Sequence, residues 1–148
     1  MTHCKWLLAT TLALMIQGCS GGGTDQQETS AAAPASETPQ VYIVSPKSGD
    51  VCVSPVTVEF GIDDFLLAPA GTFDPGTGHH HLLVDTELPA LDQPIPSDAN
   101  HLHFGKAQTE TTLELAPGTH TLQLVLGDGA HVPHDAALIS ERITITVE

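Results

Sequence analysis

The alternation of apolar and polar residues along 41–148 predicts an all-β domain, an immunoglobulin-like antiparallel β-sandwich of about seven strands. Two observations agree with it. Gly, Pro, Asp and Ser clusters punctuate the alternating runs, and no segment carries a convincing helical period.

The elements follow in order. A short apolar run at 41–44 opens the domain, and Pro46-Lys47-Ser48-Gly49 turns the chain. In 56–62, Val56, Val58, Phe60 and Ile62 alternate with Thr57, Glu59 and Gly61. A third strand is expected at 79–84 and a fourth at 101–104, both rich in histidine. In 110–115, Thr111, Leu113 and Leu115 alternate with Glu110, Thr112 and Glu114. In 120–126 the apolar set is Leu122, Leu124 and Leu126, although Val125 breaks the polar side. Ile143, Ile145 and Val147 close the domain in 142–147. Leu115-Ala116-Pro117-Gly118-Thr119-His120 looks like the corner between the fifth and sixth strands of such sandwiches. His120 is therefore read as structural, in the place where a tyrosine often bonds back to the corner backbone.

The start of the chain reads as an address. Lys5 precedes an apolar run from Trp6 to Ile16, too short to span a bilayer and suited to a signal peptide. Ile16-Gln17-Gly18-Cys19 resembles a bacterial lipobox, which implies a lipoprotein signal peptide at 1–18 and lipidation of Cys19. Residues 19–40 are rich in Gly, Ser, Thr, Gln, Ala and Pro and read as a flexible tether, with a reach of roughly 25 Å. Ser20 follows the lipidated cysteine, which by resemblance to Gram-negative sorting favours the outer membrane, facing the periplasm. With Cys4 removed and Cys19 acylated, Cys52 is left as a single cysteine that cannot form an intramolecular bridge. Its valine neighbours suggest a small buried hydrophobe.

Removal of Lys5 leaves three basic residues against eighteen acids, a mature net charge of −15. Such a surface repels nucleic acid and attracts cations and basic partners. No nucleic-acid partner is expected; a protein or glycan partner is not identified.

Histidine carries the chemistry. His79 and His81 share one face of the third strand, and His101 and His103 share one face of the fourth, because residues two apart on a strand stand roughly 6.5–7 Å apart on the same side. His131 and His134 form a pair in the loop before the last strand. The loop topology of a sandwich brings His79, His81, His103, His131 and His134 toward one pole, with His101 one step up its strand and His120 at the opposite pole. His80 has the parity of Leu82 and Val84 and reads as packing. The two flanking connections, 63–78 and 85–100, exceed the usual roughly 12–15 residues for structureless loops, and long loops are often functional. The metal candidates are thus His79, His81, His101, His103, His131 and His134, with Asp128 and Asp135 as carboxylates that could orient the rings. Three or four imidazoles suit Zn or Cu(II), and the mature chain has no Met for a Cu(I) carrier.

The motifs Gly78-His79-His80-His81-Leu82-Leu83-Val84-Asp85, Pro94-Ile95-Pro96, His101-Leu102-His103-Phe104-Gly105-Lys106-Ala107-Gln108-Thr109-Glu110, Pro117-Gly118-Thr119-His120 and His131-Val132-Pro133-His134 resemble the bacterial domain of unknown function 4399. The likeness extends over 41–148. It implies an exported or lipid-anchored domain and brings no biochemical role. The leading expectation is a lipid-anchored cell-envelope domain that binds Zn or Cu through clustered histidines. The alternatives are a metalloenzyme, hydrolytic or copper redox, and an envelope adhesion or assembly module with structural histidines. No serine stands in a nucleophile-elbow context, and Asp85, Asp128 and Asp135 are the only bases near the His pairs.

Overall fold

A computed structural model describes residues 39–134 and 138–148. The expected signal peptide, Cys19, the expected tether up to residue 38 and Asp135 lie outside the described residues. The strands are β1 (Gln40–Ser45), β2 (Val51–Cys52), β3 (Val56–Asp63), β4 (Leu66–Leu67), β5 (Thr77–Val84), β6 (His101–His103), β7 (Glu110–Leu113), β8 (Gly118–Gly127) and β9 (Ile143–Val147). All seven expected strands are present, with β2 and β4 added. Each of those two has only two residues, too few to show a period.

The strands form two sheets. One has the order β1-β3-β7; the other has the order β2-β9-β8-β5-β4, with β6 also paired to β5. The long pairings are antiparallel, whereas β2–β9 and β4–β5 are short parallel pairs. This is the expected immunoglobulin-like sandwich, with the edge strand β6 beside β5.

The core lies between the sheets. Val41, Ile43, Val56, Val58, Phe60 and Leu113 face Leu82, Val84, Leu122, Leu124, Ile145 and Val147. Every one of these positions follows the period of two that places alternate residues on one face.

The outer face of the second sheet does not meet solvent along its whole length. Leu83 and Val125 form a separate buried cluster with Ile95, and Leu88 and Ile139 pack against it. The β5–β6 connection and the segment before β9 therefore cover this face, and β5 is buried on both sides from Gly78 to Val84. That cover explains why Val125 interrupts the polar side of β8: it packs outward rather than into the sandwich.

Cys52 is buried, as expected of a small hydrophobe. It is disulfide-bonded, which corrects the reading of a lone thiol. The lone thiol is the expectation for a processed chain; the sequence as it stands has two more cysteines, both outside the described residues. Among the described residues, no helix is long and apolar enough to cross a membrane.

Candidate metal centre

β5 builds the floor of the site. His79 and His81 point to its outer face, opposite His80, Leu82 and Val84 in parity. Both are essentially fully buried. On one side of the strand His79 pairs with Gly127 and His81 with Val125; on the other, His81 pairs with His103. The Nε2 atoms of His79 and His81 approach to 3.0 Å. Two nitrogens bound tetrahedrally to one zinc ion stand roughly 3.3 Å apart, given Zn–N bonds of about 2.0–2.1 Å. The observed pair is close to that separation before any ion is considered.

His103 and His131 complete the group. The ligand atoms of His79, His81 and His103 all lie within 4.8 Å of one another. His131 brings its ring to 5.0 Å from His79, 5.7 Å from His81 and 4.7 Å from His103, measured between centroids. His103 stands 5.0 Å from His79 and 5.1 Å from His81 on the same measure. Four imidazoles thus surround one point. His103 is exposed and His131 half-buried, so the group opens to solvent on that side.

Two glycines make room for the rings. A methyl group on Gly127 would stand 3.0 Å from His81 Nε2. One on Gly105 would overlap the His103 ring, at 2.4 Å from Cε1 and 2.5 Å from Nε2. Neither glycine is assigned to the site by the sequence pattern alone. A glycine beside a histidine cluster was the available signal.

The loop carrying His131 is tied by its own aspartate. Asp128 Oδ1 accepts the N–H groups of Ala130 at 2.8 Å and Val132 at 2.9 Å, and the Asp128 carbonyl accepts the His131 N–H at 2.9 Å. His131 has a φ of 68°, in the left-handed region that a side chain enters at a cost. The carboxylate of Asp128 thus shapes the loop instead of bonding to an imidazole.

Electrostatics leaves the buried rings uncharged. Burial first, then the neighbouring imidazoles of His103 and His131, push His79 down to about 4 against the weaker pull of Asp128. Burial first, then His79, His103 and His131, push His81 down to about 3. His103 is lowered by burial and by His131. Neutral imidazoles present lone pairs, which a cation needs and a cluster of imidazolium ions would deny. The Nδ1 atoms of His79 and His81 are buried without a hydrogen-bond partner in the protein. Among the described residues, no carboxylate or carbonyl therefore fixes their tautomers, as usually happens for ligating histidines.

The other histidines are committed elsewhere. His101 shares the outward parity of His103 but pairs with Leu83, one step away, and its Nδ1 lies 2.9 Å from Asp98 Oδ1. His134 donates from Nε2 to the Thr77 carbonyl at 3.0 Å and stands edge-on to Phe65. Neither joins the four rings, which narrows the six candidates to His79, His81, His103 and His131. His80 lies on the core side, edge-on to Phe60, with Nδ1 3.1 Å from the Gln108 carbonyl. His120 sits at the far end of the sheet. Its Nδ1 is 2.6 Å from Asp85 Oδ2 and its Nε2 is 2.8 Å from the Ala116 carbonyl. Asp85 is therefore removed from the cluster as a base.

Residues 58–148 match the family described as Domain of unknown function (DUF4399). No curated protein matches. Among solved structures, fibronectin(III)-like modules of Clostridium thermocellum CbhA match at 15% identity with a TM-score of 0.35, over 73% of this chain and 93% of that one.

Proposed function

The chain belongs to the DUF4399 family, and we propose that within it this domain binds one divalent transition-metal ion, Zn or Cu(II), through His79, His81, His103 and His131. The observation that carries this reading is the convergence of the rings: three donor atoms within 4.8 Å and a fourth imidazole beside them. Nitrogen-only donor sets suit these two ions better than hard cations, which take oxygen, or Cu(I), which prefers sulfur. A purely structural network would be expected to give each buried nitrogen a partner. Here the Nε2 atoms of His79 and His81 share at most one N–H···N hydrogen bond, and the Nδ1 atoms of both rings lack partners among the described residues, as does Nε2 of His80 on the core side.

Binding is favoured over hydrolysis, because among the described residues Asp128, the carboxylate that acts on His79, is engaged by the amides of its own loop. Asp85 serves His120 and Asp128 serves its loop. The lipobox at Cys19 and the tether favour a domain anchored by lipid to the cell envelope, with the outer membrane as its site in a Gram-negative cell.

Elemental analysis tests the metal reading. Protein prepared without a His-tag from cells grown in several metals should carry Zn or Cu at up to one ion per chain. Preparations free of both, which also fail to take up either ion on addition, would sink the reading.

A further inference from the structure

His131 does two things at once. Its imidazole closes the open side of the cluster, 4.7 Å from His103 and 5.0 Å from His79 between centroids. Its carbonyl accepts the Ile95 N–H at 2.9 Å, from the long β5–β6 connection. Two residues earlier, the Gly129 carbonyl accepts the Gly71 N–H at 3.0 Å, from the connection between β4 and β5. Both long connections thus hang on the loop that carries the fourth ring.

The four rings are not equally held. His79 and His81 sit within β5, hydrogen-bonded into the sheet and buried. His103 ends a three-residue strand. His131 stands on a loop, in a left-handed conformation, held by Asp128 within the loop and by the backbone bonds to Ile95 and Gly71. The donor atoms of His79, His81 and His103 converge without it, whereas His131 approaches as a ring outside that closest set.

We propose that His131 is a conditional fourth ligand, and that its capture by the ion transmits metal occupancy to the connections at 68–76 and 85–100. This rests on the metal reading above and deepens it. An ion held by His79, His81 and His103 gains a bond by drawing in His131. The gain is specific to one position of the 127–134 loop, so it shifts the loop toward that position. The Ile95 and Gly71 amides are bonded to that loop and become ordered with it. Phe73 and Leu91, exposed at 73% and 42%, ride on those two connections. Occupancy is therefore presented at the surface as loop order, without a change in the sandwich.

Amide hydrogen exchange, followed by NMR on the full chain without a His-tag, reads this out. With Zn(II) added, the Gly71 and Ile95 amides should exchange more slowly by about fivefold or more, the lower end of ordinary coupling between sites. In His131→Asn, Zn(II) should still bind, but neither amide should slow. Asparagine removes the ring and tolerates the left-handed backbone. Binding without slowing in the wild type, or slowing that persists in His131→Asn, overturns the inference. Should the variant not fold, the wild-type rates together with the His131 ring ¹⁵N shift on Zn(II) addition decide it, and an unshifted ring overturns it. Failure to take up Zn(II) also overturns it, and failure to take up either Zn(II) or Cu(II) overturns the metal reading as well.

Discussion

His120 and the buried pair His79 and His81 show how one residue type meets opposite fates in one small fold. The His120 ring lies between a carboxylate and a carbonyl, neither of which can donate a hydrogen bond. Both ring nitrogens must then carry protons, so the imidazolium is the satisfied form. Its pKa is raised, first by the bond to Asp85 and then by the Ala116 carbonyl. Stability from this clamp is complete below the unfolded value of about 6.5 and is lost as pH rises through the higher folded value. His79 and His81 run the other way. Their lowered values mean that the unfolded chain binds more protons, so stability is complete above about 6.5. It falls as pH drops toward about 4 for His79 and about 3 for His81. Urea midpoints of metal-free protein should decline on both sides of that value. His120→Gln should cost about 1–2 kcal/mol near pH 6 and flatten only the alkaline limb. An alkaline limb unchanged in the variant would show that the clamp is not its source.

At the scale of elements, the site depends on β5, β6 and the loop that follows β8. Parity on β5 was legible from the sequence, since His80 shares its side with Leu82 and Val84 while His79 and His81 do not. The seven longer strands were legible for the same reason: period-two alternation needs several residues to declare itself. The two-residue strands β2 and β4 have no such signal. His101 and His103 could not be separated by parity, because both face outward; Asp98, three residues before His101, captures one ring. His131 and His134 could not be separated either. A positive φ at His131 turns one ring toward the cluster, and side-chain spacing in a loop does not reveal that. Gly105, two residues beyond His103, offers a test that spares the ligands. In Gly105→Ala the new methyl would overlap an exposed ring that can swing outward. Metal affinity should fall by roughly 10–100-fold, as for other disturbances just outside a coordination sphere. The urea midpoint should move little. Unaltered affinity in a folded variant would argue that His103 does not ligate.

At the scale of the molecule, the two sheets form a stable support and the chemistry sits on an outer face sheltered by connections. This placement keeps two rings dry and two accessible, which suits reversible capture from solvent. The eighteen acidic residues of the sequence give the protein a negative charge that draws cations in. In the proposed lipid-anchored form, the tether and Cys19 would set where capture occurs. Cys19→Ser should release the protein from the membrane fraction of its native host. Retention there would contradict lipid anchoring.

Four histidines, His79, His81, His103 and His131, are proposed to meet at one ion. Isothermal titration of Zn(II) and Cu(II) into protein without a His-tag tests this most directly, using the wild type and the single variants His81→Gln, His103→Gln, His101→Gln and His134→Gln. One ion per wild-type chain is expected, bound tighter than about millimolar. Affinity should collapse in His81→Gln and His103→Gln and stay intact in His101→Gln and His134→Gln. No binding by the wild type, or losses at His101 and His134 equal to those at His81 and His103, would contradict it.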